Sequence, residues 1–265
     1  MKNILVPIGS SPTATNTLQY AVDFAREFSS DIYVMEVLNI RNKAGNLANV
    51  HEKLEESTKE RLKGIIESVH TEGVTVKIAT ASGDLIDGLK GIDKQLGIDL
   101  IIMAPKSNDV NEAFYLGATS GRIIKRTNIP TLIVPKGSTY KAFGSVLTAF
   151  KSGVLKRKKI LFPLEIIKER LNPVINLLFV KTPGYSDEDL RIDPALMDIS
   201  SKISITENAT TYLGVIEHFQ EKQPDLLCVF RRKRGFFRKL WEKNNILKSE
   251  FYVPIPVLVL SVKKD

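Results

Sequence analysis

The sequence predicts an α/β fold of parallel strands covered on both faces by helices, with that plan laid down twice. Three observations predict it: short β-branched runs alternate with amphipathic helical stretches, two long segments align with each other without a gap, and the length suits two domains. The chain has 265 residues, against a soft prior of about 150 per domain. Hydrophobic residues make up 43% and charged residues 26%, enough apolar material for real cores. The 16 glycines and 12 prolines are ordinary, which excludes collagen-like and broadly disordered chains. No apolar run approaches the roughly 18 residues of a membrane helix. The opening Met1–Pro7 runs straight into a strand, without a signal-peptide layout. Cys228, the single cysteine, cannot form an internal disulfide, so a reducing cytoplasm is the expected location.

Taken in order, Ile4–Ile8 is a β-branched strand. After a Gly-Ser-Ser-Pro turn, 13–28 sets Leu18, Ala21, Val22 and Ala25 on one helical stripe. Ile32–Leu38 is a second strand. From Ala44 to His70 dense charge with Leu47, Val50 and Leu54 reads as a long surface helix. Val74–Ala79 is a strand, Asp84–Gln95 a helix, Leu100–Met103 a buried strand, Gly117–Arg126 a helix and Thr131–Val134 a closing strand. Strands alternating with helices call for a parallel sheet layered on both sides.

Segment 99–134 then aligns with 225–260 at a constant offset of 126. Asp99-Leu100-Ile101-Ile102-Met103 faces Asp225-Leu226-Leu227-Cys228-Val229, and Gly88 falls on Gly214. The first strands, Ile4–Ile8 and Val146–Phe150, align at an offset of 142, so the second copy is 16 residues shorter (142 − 126) between its first and fourth strands. The loss is placed in the second helix, where 183–200 replaces 44–70. A repeat of this kind outranks every local signal, and it assigns the strand-like Ile160–Leu164 to the first helix of the second copy, with Pro163 as a start or kink. The domains are expected at 1–138 and 139–265, joined near Lys136–Ala142, whose Pro-Lys-Gly-Ser-Thr run has little to bury.

Charge is divided unevenly. Residues 1–139 carry 16 Lys/Arg and 16 Asp/Glu, residues 140–265 carry 22 and 14, so the net +8 sits in the second half. Its densest part is Arg231, Arg232, Lys233, Arg234, Arg238 and Lys239, with Phe236, Phe237, Leu240 and Trp241 interleaved. Cations contact phosphates and rings stack on bases, but the aromatic spacing is that of a short amphipathic helix with a solvated cationic rim. An anionic partner is the weaker reading, and nucleic-acid recognition is disfavoured for want of a dedicated module. Catalytic chemistry is thin. His51, His70 and His218 read as surface or satisfied histidines, and Cys228 as a buried inert thiol. Asp187–Asp189 with Arg191 and Asp193 reads as a solvated loop or helix start. No Walker loop, nucleophile elbow or metal-ligand spacing is present.

The opening Lys-Asn-Ile-Leu-Val-Pro-Ile, the Asp-Leu-Ile-Ile-Met strand, the Leu-Gly-Ala-Thr-Ser-Gly helix start and the Ile-Pro-Thr-Leu-Ile-Val-Pro strand, in that order and duplicated, resemble the universal stress protein family in tandem form. The resemblance implies Rossmann-like domains of the adenine nucleotide alpha hydrolase type, each an open five-stranded parallel sheet. They would be arranged as a pseudo-two-fold pair through Thr131–Val134 and Val257–Leu260, which would cover an open edge. It leaves a homodimer and a protein partner open, and implies no membrane association. The family's ATP motif, Gly-x-x-Gly, nine residues, Gly-Ser/Thr, lets backbone amides and a helix N-terminus approach phosphate. The first copy reads Ala104, Ser107, Gly117 and Ala118 at those positions, with Thr119 one place late, and Gly9 where an aspartate is usual. Pro7, Val37 and Met103 match positions that line an adenosine pocket. The second copy reads Phe230, Lys233, Lys243 and Asn244, without glycine. The expected function is a non-catalytic, stress-linked regulatory or interaction module. An ATP or AMP sensor built on the first copy is the alternative.

Overall fold

The computed structural model describes residues 1–9, 13–38, 47–105, 113–155, 157–231 and 246–261, with 47–51 as backbone. The first copy runs β1 (Asn3–Pro7), α1 (Ala14–Phe28), β2 (Asp31–Leu38), α2 (Leu47–Glu67), β3 (Val76–Ser82), α3 (Leu85–Leu96), β4 (Leu100–Met103), β5 (Phe114–Leu116), α4 (Ala118–Arg126) and β6 (Thr131–Ile133). The second runs β7 (Ser145–Phe150), α5 (Phe162–Leu171), β8 (Val174–Lys181), α6 (Pro194–Ile199), β9 (Lys202–Glu207), α7 (Thr211–Lys222), β10 (Leu226–Phe230), β11 (Ile246–Leu247) and β12 (Val257–Leu260).

Ten of these strands form one sheet in the order β3-β2-β1-β4-β6-β12-β10-β7-β8-β9. Each copy contributes five parallel strands, and the two sets meet where β12 runs antiparallel to β6. Leu132 pairs with Leu258, its own equivalent at the offset of 126, while Val257 pairs with Ile133 and Val259 with Thr131. A pseudo-two-fold axis therefore passes between the two leucines. The apolar layers on both faces continue across it. One holds Val6, Leu18, Leu62, Leu164 and Phe230; the other holds Leu5, Leu89, Ile123, Val215 and Phe251.

Local rules account for the helices. Asp84 caps α3, its carboxylate accepting from Ile86 N at 2.9 Å, and Gly97 closes that helix in the left-handed region at φ 64°. Asp193 caps α6 by accepting from Ala195 N at 2.9 Å, so the acidic loop does end in a helix start. The segment Ile160–Leu164 is helical, a 3-10 turn leading into α5 with Pro163 in its first turn. The missing length lies in the second helix: α2 has 21 residues and α6 has six.

Two expectations need correction. The connection between the copies buries a good deal. Gly137 N donates to Asn16 Oδ1 at 3.0 Å, Asn16 Nδ2 donates to Ser138 O at 3.1 Å, and Tyr140 sets its ring edge against Tyr20 and Phe24 at 5.5 and 5.7 Å. With Phe143 also buried, the connection is bolted to α1. The second correction concerns the fourth helix. Residues 118–126 form α4, but their equivalents in the second copy form no helix among the described residues. Ile246–Leu247 is instead a short strand that crosses to the first copy and pairs antiparallel with β5, and Lys248 N extends that ladder to Ala113 O at 2.8 Å.

Candidate functional site

In an open α/β sheet the ligand crevice lies outside the carboxyl ends of the strands. Here β1, β2 and β4 bring Pro7, Val37 and Met103 to their carboxyl ends, all on the face covered by α3 and α4. Met103 is buried there in the same apolar layer as Leu5, and Val37 lies against Gly88 of α3. Gly9 follows β1. A Cβ at Gly9 would meet nothing within 4 Å, so there is room where the family's aspartate would project. Gly9 offers its carbonyl to Arg61 Nη1 at 3.5 Å, and Arg61 is ion-paired with Glu36 of β2.

The end of the crevice where the family's motif would place phosphate is the N-terminus of α4. Gly117 is its first flanking residue, in extended backbone that any residue adopts. Gly117 N is already used by Pro105 O at 2.9 Å. Ser120, buried under the first turn, donates its hydroxyl to Ala104 O at 3.0 Å, tying the helix to the end of β4. Ala118 and Thr119 are exposed at the tip, and no side chain caps the helix. One turn on, Arg122 Nη2 donates to Asp84 Oδ2 at 2.6 Å. That guanidinium, with the Ile86 N–H, holds the Asp84 carboxyl below the usual carboxylate range. The pair straps the N-terminus of α3 to α4. Ser107 lies outside the described residues. Sequence reasoning missed Ser120, Arg122, Arg61 and Glu36. Only the Asp84 cap had a local signal, and the other contacts join residues from different elements.

The second copy is built differently. Phe230, at the place of Ala104, turns into the core, its ring 6.3 Å from that of Phe150. The loop after β7 is stitched to the loop after β8: Gly153 N donates to Asp189 O at 3.1 Å and Asp193 N to Gly153 O at 3.0 Å. A Cβ on Gly153 would lie 2.6 Å from Ile192 Cα, so the loops touch backbone to backbone over that end of the sheet.

Arg231 is a further correction. Placed by its sequence in an exposed cationic patch, it is half-buried. Its Nη1 donates to Lys125 O at 2.5 Å, its Nη2 to Asn128 Oδ1 at 2.7 Å, and burial pushes its guanidinium pKa down. It closes the last turn of α4 across the boundary between the copies. Arg232, Lys233, Arg234, Arg238 and Lys239, with Lys243 and Asn244, lie outside the described residues. So does the side chain of His51. His70 is exposed and offers its main chain to Gln19 and Arg26. His218 Nδ1 lies 3.0 Å from Gly214 O. Cys228 is buried in β10, and burial pushes its thiol pKa up. Among the described residues no three His, Cys, Asp or Glu side chains gather as a metal site, and no helix is long and apolar enough to cross a membrane.

The universal stress protein family model matches residues 1–135, half of the chain and all of the first copy. The chain belongs to the universal stress protein family. A curated relative, a universal stress protein of Methanocaldococcus jannaschii, is 25% identical over 140 residues, covering 51% of this chain and 82% of its own length. Among solved structures, a universal stress protein from Archaeoglobus fulgidus is similar over 99% of this chain and 97% of its own, with a TM-score of 0.70 at 16% identity. A structure from Pseudomonas aeruginosa assigned to the same family covers 98% and 93%, with a TM-score of 0.55 at 16% identity. At those identities the likeness shows the fold: a Rossmann-like α/β architecture spanning both copies of this universal stress protein.

Proposed function

We propose that this universal stress protein acts without catalysis, as a cytoplasmic regulatory or interaction module whose nucleotide sites have been converted into structural joints. The observation that carries the reading is the state of the two phosphate ends. In the first copy Ala104, Ser107 and Ala118 stand where glycines and a hydroxyl would meet phosphate. Ala104 O is bonded to Ser120, and Gly117 N to Pro105. In the second copy Phe230 is in the core, and a β-ladder takes the place of the helix whose N-terminus would receive the ligand.

A second reading, a sensor of ATP or AMP in the first copy, draws on the uncapped tip of α4 with Thr119 and on the open space at Gly9. Thermal melting against ATP, ADP, AMP and a cyclic dinucleotide, with and without magnesium, separates the two. A ligand that binds only the folded chain raises its stability by mass action. The module predicts a flat melting temperature, whereas a saturable rise with an adenine nucleotide establishes the sensor and overturns it. The quadruple variant Gly9→Asp, Ala104→Gly, Ser107→Gly, Ala118→Ser should gain such a rise if those four positions account for the loss.

A further inference from the structure

The ten-stranded sheet has two outer strands, β3 and β9, and they are finished differently. In the first copy α2 lies over β2 and β3, burying Leu62 and partly covering Val76 and Ile78, and no large apolar side chain of β3 is exposed. In the second copy the six-residue α6 stops short. Ile203 is half-covered by the same apolar layer, while Ile205, two residues on and on the same face, is 58% exposed, the highest value among the large hydrophobic residues described. Among the described residues no strand pairs with the outer side of β9. An unpaired strand edge beside an exposed apolar side chain is a feature that β-proteins ordinarily blunt.

The strand is also matched to itself. Opposed residues of an antiparallel pair share a face, so a two-fold axis through Ser204 sets each Ile203 against the Ile205 of the other copy, two apolar pairs on the uncovered face. On the opposite face, where Thr206 approaches Gly214 of α7, Lys202 meets Thr206 directly and Asn208 on the diagonal. Asn208 Nδ2 donates to Glu217 Oε2 at 2.8 Å, which puts an exposed carboxylate within reach of the incoming Lys202. Within its own chain Lys202 stands near Glu221. Glu207 would face Ser201, so no like charges oppose one another.

We infer that β9 is a homodimerisation edge: a second copy of this chain adds its own β9 antiparallel across Ser204, joining two ten-stranded sheets into one. The joint repeats at the outer edge the antiparallel pairing of equivalent strands that already unites β6 and β12, and it leaves the candidate nucleotide crevice untouched.

Sedimentation of the full chain over a concentration series tests this, with a mass rising from 29.6 kDa to twice that value as the expected result. Ile205→Lys should hold the chain at the monomer mass. Ser204→Cys should give a reducible covalent dimer on mild oxidation. Opposed Cα atoms about 4.5–5.5 Å apart fall within the roughly 4.4–6.8 Å that a disulfide spans. The wild type, whose Cys228 is buried, should give none. Thr206→Cys, which faces Lys202 rather than itself, should not cross-link either. A monomer at every concentration overturns the proposal. So does a dimer that persists in Ile205→Lys while Ser204→Cys stays uncoupled. Should Ile205→Lys fail to fold, the cysteine pair still decides.

Discussion

The two copies share a sheet plan and differ in what is laid upon it. In the first, a 21-residue α2 roofs the outer strands and α4 follows β5. In the second, α6 is six residues long and the place of α4 is taken by β11, whose ladder reaches into the first copy. The central sheet positions tolerate little, because β1, β4, β6, β12, β10 and β7 are largely buried on both faces. The coverings are held by fewer contacts and can be shortened, exchanged or turned into joints. A ligand site in this fold is built from coverings at the ends of strands, so it is lost more readily than the sheet.

The sharpest way to break this comparison is at equivalent positions that have exchanged roles. Lys125 lies on the half-exposed side of α4, while its counterpart Phe251 is fully buried, its ring 5.0 Å from Tyr115 and 5.1 Å from Tyr212. Phe251→Ala should cost about 3–5 kcal/mol and Lys125→Ala less than about 0.5 kcal/mol, read as urea midpoints at constant slope. Similar losses for the two would mean that the replacement of the helix has no energetic weight.

Next come the paired glycines, where the copies have kept the same device. A Cβ on Gly88 would lie 2.7 Å from Ala81 Cβ, and one on Gly214 2.9 Å from both Val180 methyls. Either alanine overpacks its site by about 1–3 kcal/mol. Gly88→Ala should be the worse, because Ala81 Cβ cannot swing aside and a valine can turn about χ1. The reverse order in denaturant midpoints would show that the second copy is the more rigid.

The smallest effect sharpens the reading of the strap over the first copy's crevice. A carboxyl whose folded-state pKa is depressed adds stability above the ordinary carboxylate range. That contribution fades as pH falls through the lowered value. Asp84 is such a group, held down by Arg122. Asp84→Asn, which keeps a capping side chain, should cost little at neutral pH for so exposed a pair, and its difference from wild type should vanish in acid. A difference that persists in acid would assign the loss to the cap rather than to the pair.

Most of the sheet was legible because it obeys short-range rules twice. The offset of 126 located β4 with β10, β6 with β12 and Gly88 with Gly214, and it overrode the strand-like look of Ile160–Leu164. It also carried a blind spot: a repeat argues for sameness and therefore gave no sign that residues 246–252 depart from helix. The β5–β11 ladder joins three residues to two across more than a hundred positions, and nothing local in Phe114–Leu116 announces it. Arg231 misled for a related reason. In sequence it heads a cationic run, and only the fold brings Lys125 O and Asn128 within its reach. Tyr140 was hidden because the Pro-Lys-Gly-Ser-Thr stretch before it reads as solvent-exposed, yet α1 has an aromatic face to receive it.

The leucine pair at the pseudo-axis has a consequence for how this chain can change. In a dimer of identical halves, a substitution at such a seam arrives in both partners at once and must be compatible with itself. Here the two sides are separate stretches of one chain, each specified on its own, so Thr131 can face Val259 and a clasp can form on one side alone. The seam is thus free of self-complementarity, and an alteration on one side can be answered by a different one opposite.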